Sequence, residues 1–355
     1  MLSSAVINSI KVFILIFLQM GLTPVDAYLI PKDITLTQTT LPHIPRIIWT
    51  YWDGPITDPF LLNCIKGWKR YNPNYSVRVV QKTNMKVFIT ESEFPENFES
   101  LKPAFQADWV RVALLKEHGG IWLDASYIVT GSLDFIIKKQ QRSGNEAVMF
   151  FFEGYNTVPD FPVIENWFIA SVPHGEFVSA WFKEFDYITK KYGNDGQGYL
   201  DELRDRYGPE RYALLEQNIG TPDYLKMQVA AQKIMQIDGV MQPYSENSFI
   251  KPYGPFMLLG MAKTDREKLA DILLEEWTSG PVPVLTKLTG MCRSAIKKQL
   301  DKGRVPHPKS IFSRFILANE EGVVDRISRK SLHRPVQRSL SLDHHLNRFK
   351  KQRVY

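Results

Sequence analysis

The chain has 355 residues, 44% of them apolar and 23% charged, a balance that fits one large folded body with additions and excludes a collagen-like or wholly disordered chain. Its two cysteines, Cys64 and Cys292, exclude a disulfide scaffold and fit no cysteine metal site, leaving open a single bridge or buried free thiols. The net charge of +6 is uneven: residues 297–355 hold 15 Lys/Arg against 5 Asp/Glu, so the body before them is mildly acidic and the tail is basic.

Taken in order, residues 1–27 read as a targeting segment. Lys11 precedes an uncharged apolar run from Val12 to Leu22, too short for the roughly 20 residues that cross a bilayer as a helix. Val25-Asp26-Ala27 has the small-x-small form of a signal cleavage site. A cleaved signal peptide and an uncleaved signal-anchor both remain open. Either sends the body into the secretory pathway or envelope, secreted or as a type II membrane protein, and the sequon Asn74-Tyr75-Ser76 is compatible with that. Residues 28–43 are a polar, Thr-rich stem.

The globular body is expected over residues 44–300. Ile47 to Tyr51 is an apolar, β-rich run and the natural first strand. Pro59 to Tyr71 reads as a helix, Asn72-Pro73-Asn74 as a turn, and Tyr75 to Val80 as a second strand. Further on, Tyr127 to Val129, residues 147–152 and Asn166 to Ser171 read as strands. Helices are expected over Glu176 to Lys190, Tyr224 to Ile234, Asp265 to Trp277 and Ser294 to Leu300. Gly193 to Gly198 reads as a flexible loop and Pro243 to Phe256 as an aromatic lid. No Gly-rich phosphate loop of the GxGxxG or Walker type occurs, which argues against a kinase or ordinary dehydrogenase. Residues 301–355 are a basic tail with little expected order beyond a short helix at Ser310 to Leu317. Solvated extension is the simplest reading of that tail; an anionic membrane or partner is the alternative, and no nucleic-acid partner is expected in a secretory chain.

The densest stretch is 103–126. Phe105, Trp109 and Val112 recur at helical spacing, Pro103 suits a helix start and Gly119-Gly120 a stop. Asp108 and Arg111, three apart, project from one side of that helix. Ile121-Trp122-Leu123 then reads as a buried strand that delivers Asp124 and Ser126 at its end on one face. Ligands of open α/β sheets usually bind at such strand ends. Taken alone, the Asp/Arg pair fits a solvated ion pair and Asp124 a turn residue just as well.

Asp108-x-x-Arg111 followed by Gly119-Gly120-Ile121-Trp122-Leu123-Asp124 resembles the core of retaining glycosyltransferases with a DXD sugar-nucleotide motif. The nearest type is the capsular polysaccharide synthesis family, related to yeast-type Golgi mannosyltransferases and the catalytic domains of clostridial glucosylating toxins. The resemblance implies an α/β, GT-A-like fold: a Rossmann-like mixed central sheet flanked by helices. It implies a nucleotide-sugar donor, a glycan or glycoconjugate acceptor, and transfer with retention. Trp52, by the same resemblance, stacks on the nucleotide base; Asp108 and Arg111 hold donor sugar and ribose; Asp124 holds ribose and metal-bound water. Asn166 and His174 are candidates on the acceptor side, again by resemblance only.

The chemistry fits those residue types. Negative charge grows on a departing diphosphate, and a divalent cation (Mn²⁺ or Mg²⁺) held by carboxylate oxygens would stabilise it. One departure stands out: the second acid of the DXD motif is Ser126, a neutral and weaker ligand than a carboxylate. Either metal binding at Asp124 and Ser126 is weakened, or another oxygen, such as Asp134 or a C-terminal loop residue, supplies the missing charge. The competing function is a catalytically inactive glycan- or nucleotide-binding protein on the same fold.

Overall fold

The computed structural model describes residues 42–319 apart from 241–245 and 247. The expected signal segment, nearly all of the stem and the tail from residue 320 onward lie outside the described residues.

Strand β1 (Ile47–Tyr51) opens the body. Helix α1 (Pro59–Tyr71) starts where Pro59 sets φ at the first helical position and the Asp58 side chain accepts the Phe60 N–H at 2.9 Å, satisfying one of the orphan donors of the first turn. Then follow β2 (Ser76–Val80), α2 (Pro103–His118), β3 (Gly120–Leu123), β4 (Ile128–Val129), α3 (Asp134–Ser143), β5 (Ala147–Phe151) and β6 (Ile164–Ser171). The second half holds α4 (Glu176–Tyr192), α5 (Gly196–Glu216), α6 (Lys226–Gln236), β7 (Phe249–Ile250), α7 (Tyr253–Met261), α8 (Arg266–Leu274), β8 (Leu285–Thr286), α9 (Gly290–Asp301) and α10 (Ile311–Phe315).

Six strands form the central sheet in the order β2-β1-β3-β6-β5-β7. The pairs β1/β2, β1/β3 and β5/β7 are parallel, while β6 runs antiparallel to both β3 and β5. This is an α/β fold with a mixed sheet flanked by helices. Alternation along the strands assigns the faces. Ile48, Ile121 and Leu123 pack with Ile65 and Trp68 of α1 and Ile136 of α3. Trp49, Tyr51 and Trp122 turn to the other layer, built on Trp109 of α2, Trp181 of α4 and Ala230 of α6.

Helix α2 is buried from Phe105 to Leu115, Ala107 being the half-buried exception. A helix covered all round has no solvent face for charges, so Asp108 and Arg111 are carried inside. Its end is tightly specified. Gly119 takes φ +60°, and a Cβ there would lie 2.6 Å from the Pro173 nitrogen, so only glycine lets the helix stop and β3 begin in contact with the end of β6.

Three features differ from the sequence reading. The loop expected at 193–198 is partly helix: α5 starts at Gly196, capped by Asp195 through the Gly198 N–H, and Gly208 at φ 77° breaks it before Pro209. Gly196 is there because its bare Cα abuts the Asp223 carbonyl. In the expected lid, Phe249–Ile250 joins the sheet beside β5, and α7 follows. Packing also continues beyond residue 300: Ile311, Phe312 and Ile316 are buried in a third apolar cluster with α7, α8 and α9. Cys64 and Cys292, both free and buried, sit in that cluster as small apolar side chains. Among the described residues no helix is long and apolar enough to cross a membrane.

Candidate active site

Strand β3 ends at Leu123, and Asp124 is the first residue off it, its N–H bonded to the Trp167 carbonyl at 3.3 Å. The parallel register pairs Trp49 with Trp122, so Trp52 and Asp124 lie at the same carboxyl edge of the sheet. This edge is where open α/β sheets place their ligands. Helix α2 packs over the same face and brings its charged pair to that edge.

The Arg111 guanidinium bridges two carboxylates. It pairs tightly with Asp108 one turn back and reaches Asp124 Oδ1 at 3.3 Å. It also lies over the Trp122 ring, 4.7 Å from its centroid, while the Trp122 indole N–H donates to Asp124 Oδ1 at 3.1 Å. Asn166, on β6, donates to Asp108 Oδ1 at 2.9 Å. Asp108, Arg111, Asp124 and Asn166 thus form one hydrogen-bonded network.

A second segment completes it. Pairing of β4 with β8 draws residues 285–288 onto the site. There the Ser126 hydroxyl donates to the Leu288 carbonyl at 2.7 Å. Lys287 Nζ sits 3.3 Å from Asp124 Oδ2 and 4.8 Å from the centroid of the Trp167 ring. Sequence reasoning gave Lys287 no role. It lies 163 residues from Asp124, and only the β4/β8 ladder, two residues long on each side, brings it home.

The charges interact strongly because water is largely excluded. Burial raises Asp124, but Lys287, Arg111 and the Trp122 N–H outweigh it and hold the carboxyl below its ordinary range. Burial pushes Asp108 up against the pull of Arg111, lowers Lys287 despite Asp124 and Glu165, and raises Glu165, which Lys287 opposes. Asp108, Arg111, Asp124, Glu165 and Lys287 therefore form one coupled set.

Lys226, at the start of α6, is 1% exposed, donates to the Gly193 carbonyl at 2.6 Å and stands 3.8 Å from the Phe105 ring centroid. Burial lowers its pKa to about 8, with Asp108 pulling the other way. In the unfolded chain a lysine titrates near about 10.4. Between those values the unfolded chain binds more protons, so this group's contribution to stability rises with pH. Urea midpoints of the wild type minus those of Lys226→Met should increase from about pH 7.5 to about pH 10; a level or falling difference would contradict the assignment.

The remaining candidates fall differently. Trp49 is core, with its indole N–H donating to the Gly119 carbonyl at 2.8 Å. Trp52 is half-buried at the strand end, with the Arg293 guanidinium 5.9 Å from its ring centroid. Asp134 does not reach Asp124: it pairs with Arg46 at 3.3 Å and accepts the Tyr75 hydroxyl at 2.9 Å near the start of α3. His174 is exposed just beyond Ser171, which pairs with Gly120 at the opposite end of β3 from Asp124, so it is not part of this network.

The expected metal does not suit this donor set. Each Asp124 oxygen already faces a cation, Arg111 on one side and Lys287 on the other. The Ser126 hydroxyl is turned to a backbone carbonyl. No group of three His, Cys, Asp or Glu suited to a metal occurs among the described residues. A hard divalent ion needs several oxygen ligands of net negative charge, and here the Asp124 carboxylate is already paired with two cations.

Comparison with known proteins fits this arrangement. Residues 31–194 match the family model described as capsular polysaccharide synthesis protein. Over that part, just under half of its length, the chain is similar to the capsular polysaccharide synthesis proteins. The matched part contains Trp52, Asp108, Arg111, Asp124, Ser126 and Asn166, and it ends before Lys287. The curated O-glycosyltransferase braB of Annulohypoxylon truncatum is 28% identical over 155 residues, covering 39% of this chain and 36% of that protein. The chain therefore matches about a third of that relative's length. A solved structure, the PaToxG glycosyltransferase, covers 74% of this chain and 87% of its own at 15% identity, with a TM-score of 0.29, a likeness that carries no argument.

Proposed function

We propose that this chain transfers a sugar from a nucleotide-diphosphate donor to a hydroxyl of a glycan or glycoconjugate. One observation carries the reading. Asp108 and Arg111 from α2, Asp124 from β3 and Lys287 from the C-terminal segment converge at the carboxyl edge of the parallel strands. Cations placed there would meet the charge that grows on a departing diphosphate, and carboxylates there would accept hydrogen bonds from ribose and sugar hydroxyls. The half-buried Trp52 at the same edge offers an aromatic face to a base. Retention of configuration rests on the resemblance of the Asp108–Asp124 stretch to retaining transferases. A secretory or envelope location is supported by the apolar run before residue 23 and by the exposed Asn74 of the sequon.

A panel of sugar nucleotides, scored by released nucleoside diphosphate, tests the reading. One donor should be hydrolysed slowly without acceptor and faster with a mixed glycan acceptor pool. A second reading, a nucleotide-binding protein without turnover, has one observation in its favour: both Asp124 oxygens are ion-paired within the chain. Binding of a nucleoside diphosphate with no release from any donor would favour that second reading.

A further inference from the structure

We propose that Lys287 is the cation that balances the leaving diphosphate, so that this chain binds nucleoside diphosphates and turns over its donor without a divalent metal. The inference rests on the transferase reading above and goes beyond it. Its basis is the poor fit between the residues present and a metal ion, together with a cation already standing where the metal's charge would be needed.

Three observations converge. Lys287 Nζ lies 3.3 Å from Asp124 Oδ2, on the opposite carboxylate oxygen from Arg111. Its ammonium also rests 4.8 Å from the Trp167 ring centroid, a ring packed between Tyr127, Phe150 and Phe256. The lysine is therefore held from two sides, by a carboxylate and by a fixed aromatic wall. Third, Ser126 replaces the second motif acid, and its hydroxyl donates to the carbonyl of Leu288, the residue after Lys287. The serine positions the lysine segment. With a carboxylate at 126 that hydrogen bond to a carbonyl would be lost, so the change from acid to serine and the presence of Lys287 form one arrangement.

The step balances without a further co-reactant. The bond between the anomeric carbon and the β-phosphate oxygen breaks, and its electron pair stays on that oxygen. The acceptor hydroxyl oxygen forms the new bond to the anomeric carbon. Its proton passes to the departing phosphate oxygen. Lys287 stays protonated throughout and exchanges part of its ion pair with Asp124 for one with the diphosphate.

Titration calorimetry of the full chain with UDP, GDP, ADP and dTDP, in EDTA and then in Mn²⁺, provides the test. The wild type should bind one of them in EDTA, with affinity within roughly threefold of that in Mn²⁺, well under the tenfold that 1.4 kcal/mol represents. Lys287→Met should weaken that binding by roughly 10- to 100-fold, as expected for losing a charge-assisted contact, and Lys287→Arg should restore most of it. Binding that requires Mn²⁺ would overturn this inference and leave the transferase reading standing. So would a folded Lys287→Met that binds as tightly as the wild type. If Lys287→Met fails to fold, the wild-type comparison between EDTA and Mn²⁺ decides alone. No binding of any of the four, with or without metal, would overturn the proposed function and this inference together.

Discussion

Asp124→Asn should lower turnover of the donor by at least roughly 100-fold, the scale on which removing one preorganised charged contact acts in enzyme sites. The substitution keeps shape and removes charge. Among the described residues Asp124 is the only carboxylate paired with both Arg111 and Lys287, so its charge sets the position of each cation. Without it the two cations repel across a narrow gap, and the lysine retains only its aromatic wall. Stability should fall modestly, by about 1–3 kcal/mol, the usual cost of leaving a charged partner under-satisfied. The pH dependence has a definite sign. Because the folded chain holds Asp124 below its ordinary range, its contribution is present above about pH 4 and disappears as the carboxyl protonates in stronger acid. The wild type should therefore lose its advantage over Asp124→Asn on acidification. Unchanged release of nucleoside diphosphate by a folded Asp124→Asn would remove Asp124 from the site.

The second large effect is expected at Arg111. Its side chain is 4% exposed and holds Asp108 and Asp124 together while covering the Trp122 ring. Arg111→Met strips Asp108, itself buried, of its counter-ion and should cost about 3–5 kcal/mol, the range for breaking a buried pair on one side. Arg111→Lys keeps the charge, but one compact ammonium cannot span both carboxylates in the way a planar fork can. It should recover part of the stability and little of the turnover. Urea unfolding measures the first and nucleoside diphosphate release the second. Equal stability of Arg111→Met and the wild type would mean that the pair is not structural, and full activity of Arg111→Lys would mean that the bridging geometry is not needed.

Much of the N-terminal half was legible in the sequence because its signals are local. Pro59, Asn72 and the apolar spacing between them bound α1, and the β-rich run from Ile47 to Tyr51 coincides with β1. Pro103 and the Gly119-Gly120 pair bracket α2 in the same way. What stayed hidden depends on distant pairing or on a residue used against its propensity. Gly196 and Gly198 resemble loop residues, yet Gly196 allows Asp223 to pack against the first turn of α5. Strands β7 and β8 are two residues each, too short to show a period. Lys287 belongs to that class: Lys287-Leu288 resembles a Lys-Leu near the end of the capsular-type sequences, but nothing near it in sequence points to Asp124. Asp134 and His174 illustrate the reverse: each looks available in sequence, and each is drawn elsewhere by the packing of α3 and by the loop after β6.

The most direct measurement is a crystal structure of the chain with the nucleoside diphosphate that calorimetry selects. The diphosphate is expected within hydrogen-bonding reach of Lys287 Nζ or Arg111, the ribose at Asp108 or Asp124, and the base against Trp52. A nucleotide seated away from the carboxyl edge of β1 and β3, with the Asp124–Arg111–Lys287 cluster untouched, would contradict it.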